Sequence, residues 1–369
     1  MKLKETPTNK IISSTFYNSI LNKVSGKFIR WGKTTENDPT WCEFGPEILD
    51  IEISSVVDKK EVVLNENTIL TSGACNGRGC KQFCYKDNGT GNFTAHMSLI
   101  GFKKILDKLP KTVGQIAFGI TSLNSHPELW KIFEECRNND IVPNLTINGI
   151  DVSNDNAKEL KRYCGAVAVS VNKVNQEEAF NTIQLLSQTY HMNQINIHYV
   201  LSEQTHEDAL FLIKEASEDE RLDKLNAIVF LMYKHKNKSC KYDSLLDVAK
   251  YKELVETANK YGIGIGMDSC SSDMYLASIK NDKHFEELKQ CVEPCESGKF
   301  SWYIDYKGEA FPCSFCPGEN KWESGIDIYK VNNFVDEVWM NKRVKEWRLN
   351  LSDRKRSCPI FKLTPKGNK

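Results

Sequence analysis

The chain has no excess charge of either sign: its 49 Lys and Arg balance 49 Asp and Glu, so the formal net charge is zero over 369 residues. Such a balance gives no reason to expect a nucleic-acid or anionic-membrane partner, and it disfavours nucleic acid without ruling out a local basic patch. The chain also lacks any apolar run near the roughly 20 residues of a membrane span. Its Met1-Lys2-Leu3-Lys4-Glu5-Thr6-Pro7 start has no hydrophobic signal core. The expected location is the cytoplasm, with no membrane partner. In a reducing compartment the 13 cysteines are expected to be metal ligands, buried small hydrophobes or reactive thiols rather than disulfides. Triplets such as Asn88-Gly89-Thr90 then carry no glycosylation meaning.

What is present is an ordinary apolar share, 40% hydrophobic against 27% charged residues, enough for one large domain with an appendage or for two domains. One stretch stands out: Gly73-Ala74-Cys75-Asn76-Gly77-Arg78-Gly79-Cys80-Lys81-Gln82-Phe83-Cys84-Tyr85-Lys86, directly after the strand-like run Thr68-Ile69-Leu70-Thr71. Three thiolates so closely spaced, with glycines to turn the backbone, can converge on one soft metal centre. A structural zinc or an ordinary iron–sulfur cluster wants a fourth ligand, and no Cys or His follows until His96. Two readings stand side by side at this point: a zinc loop completed from a distance, or a four-iron cluster with one iron left open.

The second reading resembles the radical S-adenosylmethionine (SAM) enzymes, whose signature is three cysteines on one loop with an aromatic residue before the third, as Phe83 stands before Cys84. The spacing here is one residue longer in each gap than the usual pattern. The resemblance implies that Cys75, Cys80 and Cys84 hold a [4Fe-4S] cluster whose open iron chelates SAM, with Phe83 and Tyr85 beside it. It also implies reductive cleavage of SAM to a 5′-deoxyadenosyl radical, and an electron donor such as a flavodoxin or ferredoxin.

From this loop onward helix-like and strand-like segments alternate. Helices are expected at 97–109, 128–138, 155–163, 177–190, 206–216 and 245–261, and strands at 114–119, 142–147, 166–170, 194–200, 227–232 and 262–267. Apolar strands that each precede an amphipathic helix predict an α/β fold with a parallel sheet covered by helices. No Gly-rich dinucleotide fingerprint opens a helix, so a full or partial β/α barrel is favoured over a doubly wound sheet. The resemblance narrows this to a partial (β/α)6-type barrel over residues 65–285, after an N-terminal extension at 1–64 that contains the strand-like segment 44–54.

In such barrels chemistry sits where strands end. After the second strand the family places a Gly-Gly-Glu-like segment against the SAM amino group. Gly119 and Thr121 stand there, with a hydroxyl in place of the acidic residue. Ser170 and Asn172 end the fourth strand, where the resemblance implies contact with SAM carboxylate and ribose, against the plainer alternative of turn formation. His198 and Ser202 belong to the end of the fifth, near adenine, against the alternative of a satisfied interior histidine. Asp268, Cys270 and Ser271 follow the last strand, and Cys270 is a candidate hydrogen-atom donor or simply a buried thiol. Cys42, Cys136, Cys164 and Cys240 have no companions at ligand spacing.

A second cysteine set follows at 286–369. Tyr303 to Phe311 alternates around Lys307-Gly308 and predicts a β-hairpin that brings Cys295 toward Cys313. Cys313 and Cys316 form a C-x-x-C pair, and Cys358, after a helix expected near 335–348, completes four thiols. Cys291 is the alternative to Cys316. The order Cys295, Gly308, Cys313 with a following Val338-Trp339 resembles the SPASM or shorter Twitch extensions of radical SAM enzymes. It implies one auxiliary [4Fe-4S] cluster, although four thiolates suit a structural zinc as well. Members with such extensions mostly oxidise or cross-link peptide side chains. Dehydrogenation of a small molecule, and a non-catalytic zinc or iron–sulfur protein, are the alternatives.

Overall fold

The computed structural model describes residues 2–34, 39–73, 75, 79–86, 91–150, 152–236, 241–319 and 321–367. Asn76, Gly77 and Arg78 of the cysteine loop, the triplet 88–90 and Cys240 lie outside the described residues.

The alternation read from the sequence builds a mixed α/β fold around one ten-stranded sheet. Strands Ile265–Met267, Ala227–Met232, Ile195–Leu201, Val167–Ser170, Val142–Ile147, Gln115–Gly119, Ile48–Glu52 and Ser301–Ile304 lie side by side in that order, all parallel. Helices Leu99–Leu106, Leu129–Asn138, Asn154–Tyr163, Gln176–Gln184, His206–Glu218 and Val248–Tyr261 connect successive strands. The caps are legible: Ser98 Oγ accepts from Gly101 N at 3.0 Å and Ser153 Oγ from Asn156 N at 3.1 Å, satisfying first-turn donors. Helix Val248–Tyr261 ends at Gly262 in the left-handed region, φ 67°.

Alternation along each strand divides the residues between two faces. In Ile195–Leu201 the residues Ile195, Ile197, Tyr199 and Leu201 are buried in the core, and Asn196, His198 and Val200 occupy the opposite face. Ile228, Phe230 and Met232 repeat the pattern next door. Removing one such side chain, Ile197→Ala for example, costs about 2–5 kcal/mol through lost transfer energy and the cavity left behind.

Two sequence expectations change. The segment read as part of an N-terminal extension supplies Ile48–Glu52, an inner strand of the large sheet between Gln115–Gly119 and Ser301–Ile304. The run read as the strand preceding the cysteines, Thr68–Ser72, pairs antiparallel with Phe93–Met97, which pairs with Ser54–Val57, making a separate three-stranded sheet. The cysteine loop is thus an excursion from the tip of an antiparallel pair. Alternation alone did not separate them: both runs are short and apolar, and their pairing partners are distant in sequence.

Residues 2–32 fold as a four-stranded antiparallel sheet, Lys2–Glu5, Asn9–Ser13, Tyr17–Asn22 and Phe28–Gly32. It is tied down by polar contacts to Glu47, which takes Arg30 Nε at 2.8 Å and Ser19 Oγ at 2.6 Å. At the other end the hairpin Ser301–Ile304 with Glu309–Phe311 forms as expected, turning at Gly308 with φ 83°. An added Cβ at Gly308 would lie 2.4 Å from the Tyr329 ring, so only glycine fits. The single helix expected at 335–348 is two pieces, a π-helical turn Phe334–Trp339 and the helix Lys342–Asp353. Asn341 between them caps the second by accepting from Arg343 N at 3.0 Å. Among the described residues no helix is long and apolar enough to cross a membrane.

Candidate functional site

The inner-facing residues of the parallel strands and the cysteine loop enclose a cavity of about 520 Å³. Cys75, Cys80 and Cys84 all line it, with Phe83 and Tyr85. So do Gly119 and Thr121 at the end of Gln115–Gly119, Ser170 and Asn172 at the end of Val167–Ser170, and His198 in the middle of Ile195–Leu201. Ten residues singled out in sequence therefore meet at one cavity.

Local chemistry explains how the loop is seated. Cys75 Sγ donates to the Thr121 carbonyl oxygen at 3.7 Å, and the Thr121 hydroxyl lies 3.0 Å from Ser125 Oγ. Gly79 adopts φ 75°, and a Cβ there would lie 2.3 Å from Asn172 Oδ1, so the loop backbone rests directly on the turn after Val167–Ser170. That turn is held by Asn175, whose amide donates to Asn148 O and Ser170 O, both at 2.8 Å. Asn172 serves the turn by accepting from Val174 N at 2.9 Å while lining the cavity. The His198 ring, 3.3 Å from Thr146 Oγ1 through Nδ1, is pushed down to about 4 by burial, opposed by Asp268. It is neutral at ordinary pH.

Two expected residues stand elsewhere. Ser202 is fully buried in a turn with Thr205, its amide donating to Thr205 Oγ1 at 2.9 Å, and it does not line the cavity. Its parity is that of His198 and Val200, but the chain leaves the strand at Leu201, and the turn to Thr205, with a bridge to Ser244, carries the Ser202 hydroxyl onto Thr205 Oγ1 at 3.1 Å. Cys270, in the turn Ser269–Ser271, also stands outside the cavity lining; its electrostatic neighbours are Lys234, Asp268, Cys295 and Cys358. Asp268 does line the cavity, and Ser271 is buried behind it, donating to its carboxylate at 2.5 Å.

The second cysteine group gathers beside this wall. Cys313 and Cys316 have their sulfurs 3.6 Å apart, and Cys295 lies within electrostatic reach of Cys313 and Cys358. Cys291 stands away, exposed, its thiol donating to Glu287 O at 3.7 Å. Cys42, Cys136 and Cys164 are buried thiols of the core, each pushed above its usual range by burial. Among the described residues no three His, Cys, Asp or Glu side chains are drawn tightly enough together to hold a single metal ion. The donor sets still fit sulfur-rich centres: three thiols on one cavity wall, and four thiols gathered around a C-x-x-C pair.

Sequence reasoning missed the charged wall opposite His198. Glu52 accepts from Lys86 Nζ at 2.5 Å and from Tyr303 OH, and Lys86 is 2.6 Å from Tyr303 OH. Asp50, one pleat deeper, makes no ion pair among the described residues, and burial, with Glu296 nearby, pushes its carboxyl up to about 6. Lys234 pairs with Asp268 at 3.0 Å. Asp50 and Glu52 are alternate positions of Ile48–Glu52, and only the pairing of that strand with Gln115–Gly119 and Ser301–Ile304 turns them toward the cavity.

With this geometry in view, the chain compares with solved structures as follows. The crystal structure of Streptococcus suis SuiB bound to S-adenosylmethionine superposes with TM-score 0.65 at 13% identity, covering 93% of this chain and 89% of that one. The likeness is one of fold. SuiB bound to the precursor peptide SuiA gives TM-score 0.64 at 12% identity over 94% and 90% of the two chains, and SuiB alone gives 0.62 at 13% over 92% and 88%. No family model and no curated protein matches the sequence.

Proposed function

We propose that the chain is a radical SAM enzyme that oxidises or cross-links a peptide side chain. The observation that carries this is convergence: three cysteines and polar residues of three parallel strands meet at one cavity, in a fold similar to that of SuiB, whose crystal structures include complexes with SAM and with a precursor peptide. A four-iron cluster with an open iron supplies, when bound with SAM, one electron and a 5′-deoxyadenosyl radical.

In this reading the chain's own residues orient and exclude. Cys75, Cys80 and Cys84 would hold the cluster, Gly79 keeps the loop against the Asn172 turn, and Phe83 and Tyr85 would shield the sulfur side from water. Gly119 and Thr121 offer a carbonyl and a hydroxyl to the SAM ammonium group. Ser170 and Asn172 take its carboxylate and ribose, and neutral His198 lies against the adenine without adding charge. The remaining wall, Asp50, Glu52, Lys86, Tyr303 and Asp268, faces the substrate, whose reacting hydrogen must be held beside the radical carbon. Cys295, Cys313, Cys316 and Cys358 would hold an auxiliary cluster, which would supply an electron acceptor or an anchoring point for the substrate. The catalytic unit then starts at Ile48–Glu52, and a flavodoxin or ferredoxin supplies electrons.

Anaerobically reconstituted protein with a strong reductant is expected to convert SAM to 5′-deoxyadenosine, and Cys80→Ala to abolish this with the fold intact. Equal product from both would overturn the reading.

A further inference from the structure

Lys234 and Lys236 follow the strand Ala227–Met232 and carry two ammonium groups to the second cysteine group. Lys236 Nζ donates to Phe315 O and to Pro317 O, both at 2.7 Å. These carbonyls belong to the loop that carries Cys313 and Cys316. Among the described residues Lys236 forms no ion pair: Glu319 influences it only from beyond 4 Å, and Cys313 and Cys316 are its other negative-going neighbours. Burial accordingly holds its ammonium below the usual lysine range.

Lys234 approaches from the cavity side. It is 5% exposed, its Nζ is 3.0 Å from Asp268 Oδ2, and it lies 4.5 Å from the centre of the Phe315 ring. Cys270, Cys313 and Cys358 lie in its field. The two lysines thus flank one short loop with a single carboxylate paired between them. Lys236 is half-buried, and an ammonium partly withdrawn from water with only carbonyl partners is favoured by a negative group close by. Four thiolates around a divalent metal or a doubly charged four-iron core make a net dianion, which is the missing counter-charge.

We propose that Lys234 and Lys236 are positioning residues that stabilise an anionic metal–thiolate centre at Cys295, Cys313, Cys316 and Cys358 by their charge. The proposal rests on the reading of that group as a metal site. The lysines act without touching the metal: Lys236 sits on the outer carbonyls of the Cys313–Cys316 loop, and Lys234 stands between that loop and the cavity. Removing either charge leaves the reduced, more negative state of the centre less favoured.

The test compares wild type, Lys236→Gln, Lys236→Arg and Lys234→Gln as anaerobically loaded full-length protein. Gln keeps a donor for the carbonyls and loses the charge, and Arg keeps both. Metal content and thermal unfolding are measured first, then an equilibrium redox titration followed by electron paramagnetic resonance. At a fixed potential the ratio of oxidised to reduced second centre is expected to rise about tenfold in Lys236→Gln, a downward shift of about 59 mV for one electron. Lys234→Gln moves the same way, Lys236→Arg restores the wild-type value, and the first centre is unchanged. Should the metal be zinc, the same order is expected in chelator competition, with Lys236→Gln losing metal about tenfold more readily. A loaded Lys236→Gln protein indistinguishable from wild type, or a shift that Arg does not reverse, overturns the proposal alone. Metal content unchanged by Cys313→Ser overturns the metal-site reading and the proposal with it.

Discussion

The ring of Tyr85 stacks on that of Phe315 with centroids 4.6 Å apart and planes 29° from parallel. Tyr85 follows Cys84 and Phe315 precedes Cys316, so this one contact joins the two cysteine loops across 230 residues of sequence. A stacked aromatic pair contributes about 0.5–1.5 kcal/mol beyond its buried area. A double-mutant cycle with Tyr85→Leu and Phe315→Leu, read by urea unfolding, is expected to return a coupling energy in that range. Strict additivity would mean that the loops are positioned independently.

Gly79 is the hinge of the first loop. Its φ of 75° and the 2.3 Å separation between a would-be Cβ and Asn172 Oδ1 leave Gly79→Ala both strained and clashing. The backbone term alone is about 1–2 kcal/mol. Because the strain is local, the variant is expected to keep most of its global stability while losing iron from the first loop, measured as iron per chain beside a melting curve. Full iron content would show that the loop does not need this seat.

Arg30 ties three parts of the chain together. Its guanidinium is 2.8 Å from Glu47 and 2.5 Å from Glu296, with side-chain exposure of only 2%, and lies 3.7 Å from the centre of the Phe300 ring. Removing one partner of a buried network costs about 3–5 kcal/mol because the remaining charge is stranded. Arg30→Met is expected to lose that much in chemical unfolding, whereas Lys158→Met, which breaks an exposed pair with Asp155, changes stability by about 0.5 kcal/mol or less. Equal small losses would contradict the inference that Arg30 fastens the N-terminal sheet to the segment carrying Cys295.

Three histidines set an acid limit. Burial pushes His96, His126 and His198 down to about 4, with the neighbouring His126 adding to the effect on His96. The unfolded chain then binds more protons than the folded one between pH 6.5 and 4. Stability is therefore full above pH 6.5 and is lost as pH falls through that window, by at most about 1.4 kcal/mol per pH unit for each histidine. Asp50, raised to about 6, and Asp305, raised to about 7, both by burial first, oppose the trend because the folded state holds their protons longer. Since the acids are unchanged in His96→Gln, that variant is expected to show a shallower loss between pH 6.5 and 4 than wild type. Identical slopes would contradict the assignment.

Much of the cavity was legible because its residues obey short-range rules. The cysteines announce themselves by spacing, Gly119 and Ser170 end strands whose apolar alternation is plain, and His198 is an inward position in the middle of a third. What failed depended on partners far away in sequence. Ile48–Glu52 is flanked by strands that begin at Gln115 and Ser301, so neither its place in the large sheet nor the inward facing of Asp50 and Glu52 follows from its own residues. The charged wall built by Lys86 and Tyr303 was hidden for the same reason. Ser202 has the parity of His198, and what takes it out of the cavity is the turn with Thr205 and the bridge to Ser244, a partner 42 residues on. Cys270 follows a strand in sequence, but its neighbours, Lys234, Asp268, Cys295 and Cys358, come partly from the distant C-terminal cysteine group.

The most direct measurement is anaerobic iron and sulfide quantitation with electron paramagnetic resonance of the reduced protein, with and without SAM, on wild type and on a Cys75/Cys80/Cys84 triple alanine variant. About eight irons per chain are expected, falling to about four in the variant, with a SAM-dependent change confined to the signal that is lost. Zinc without iron, or a reduced signal indifferent to SAM, would contradict it.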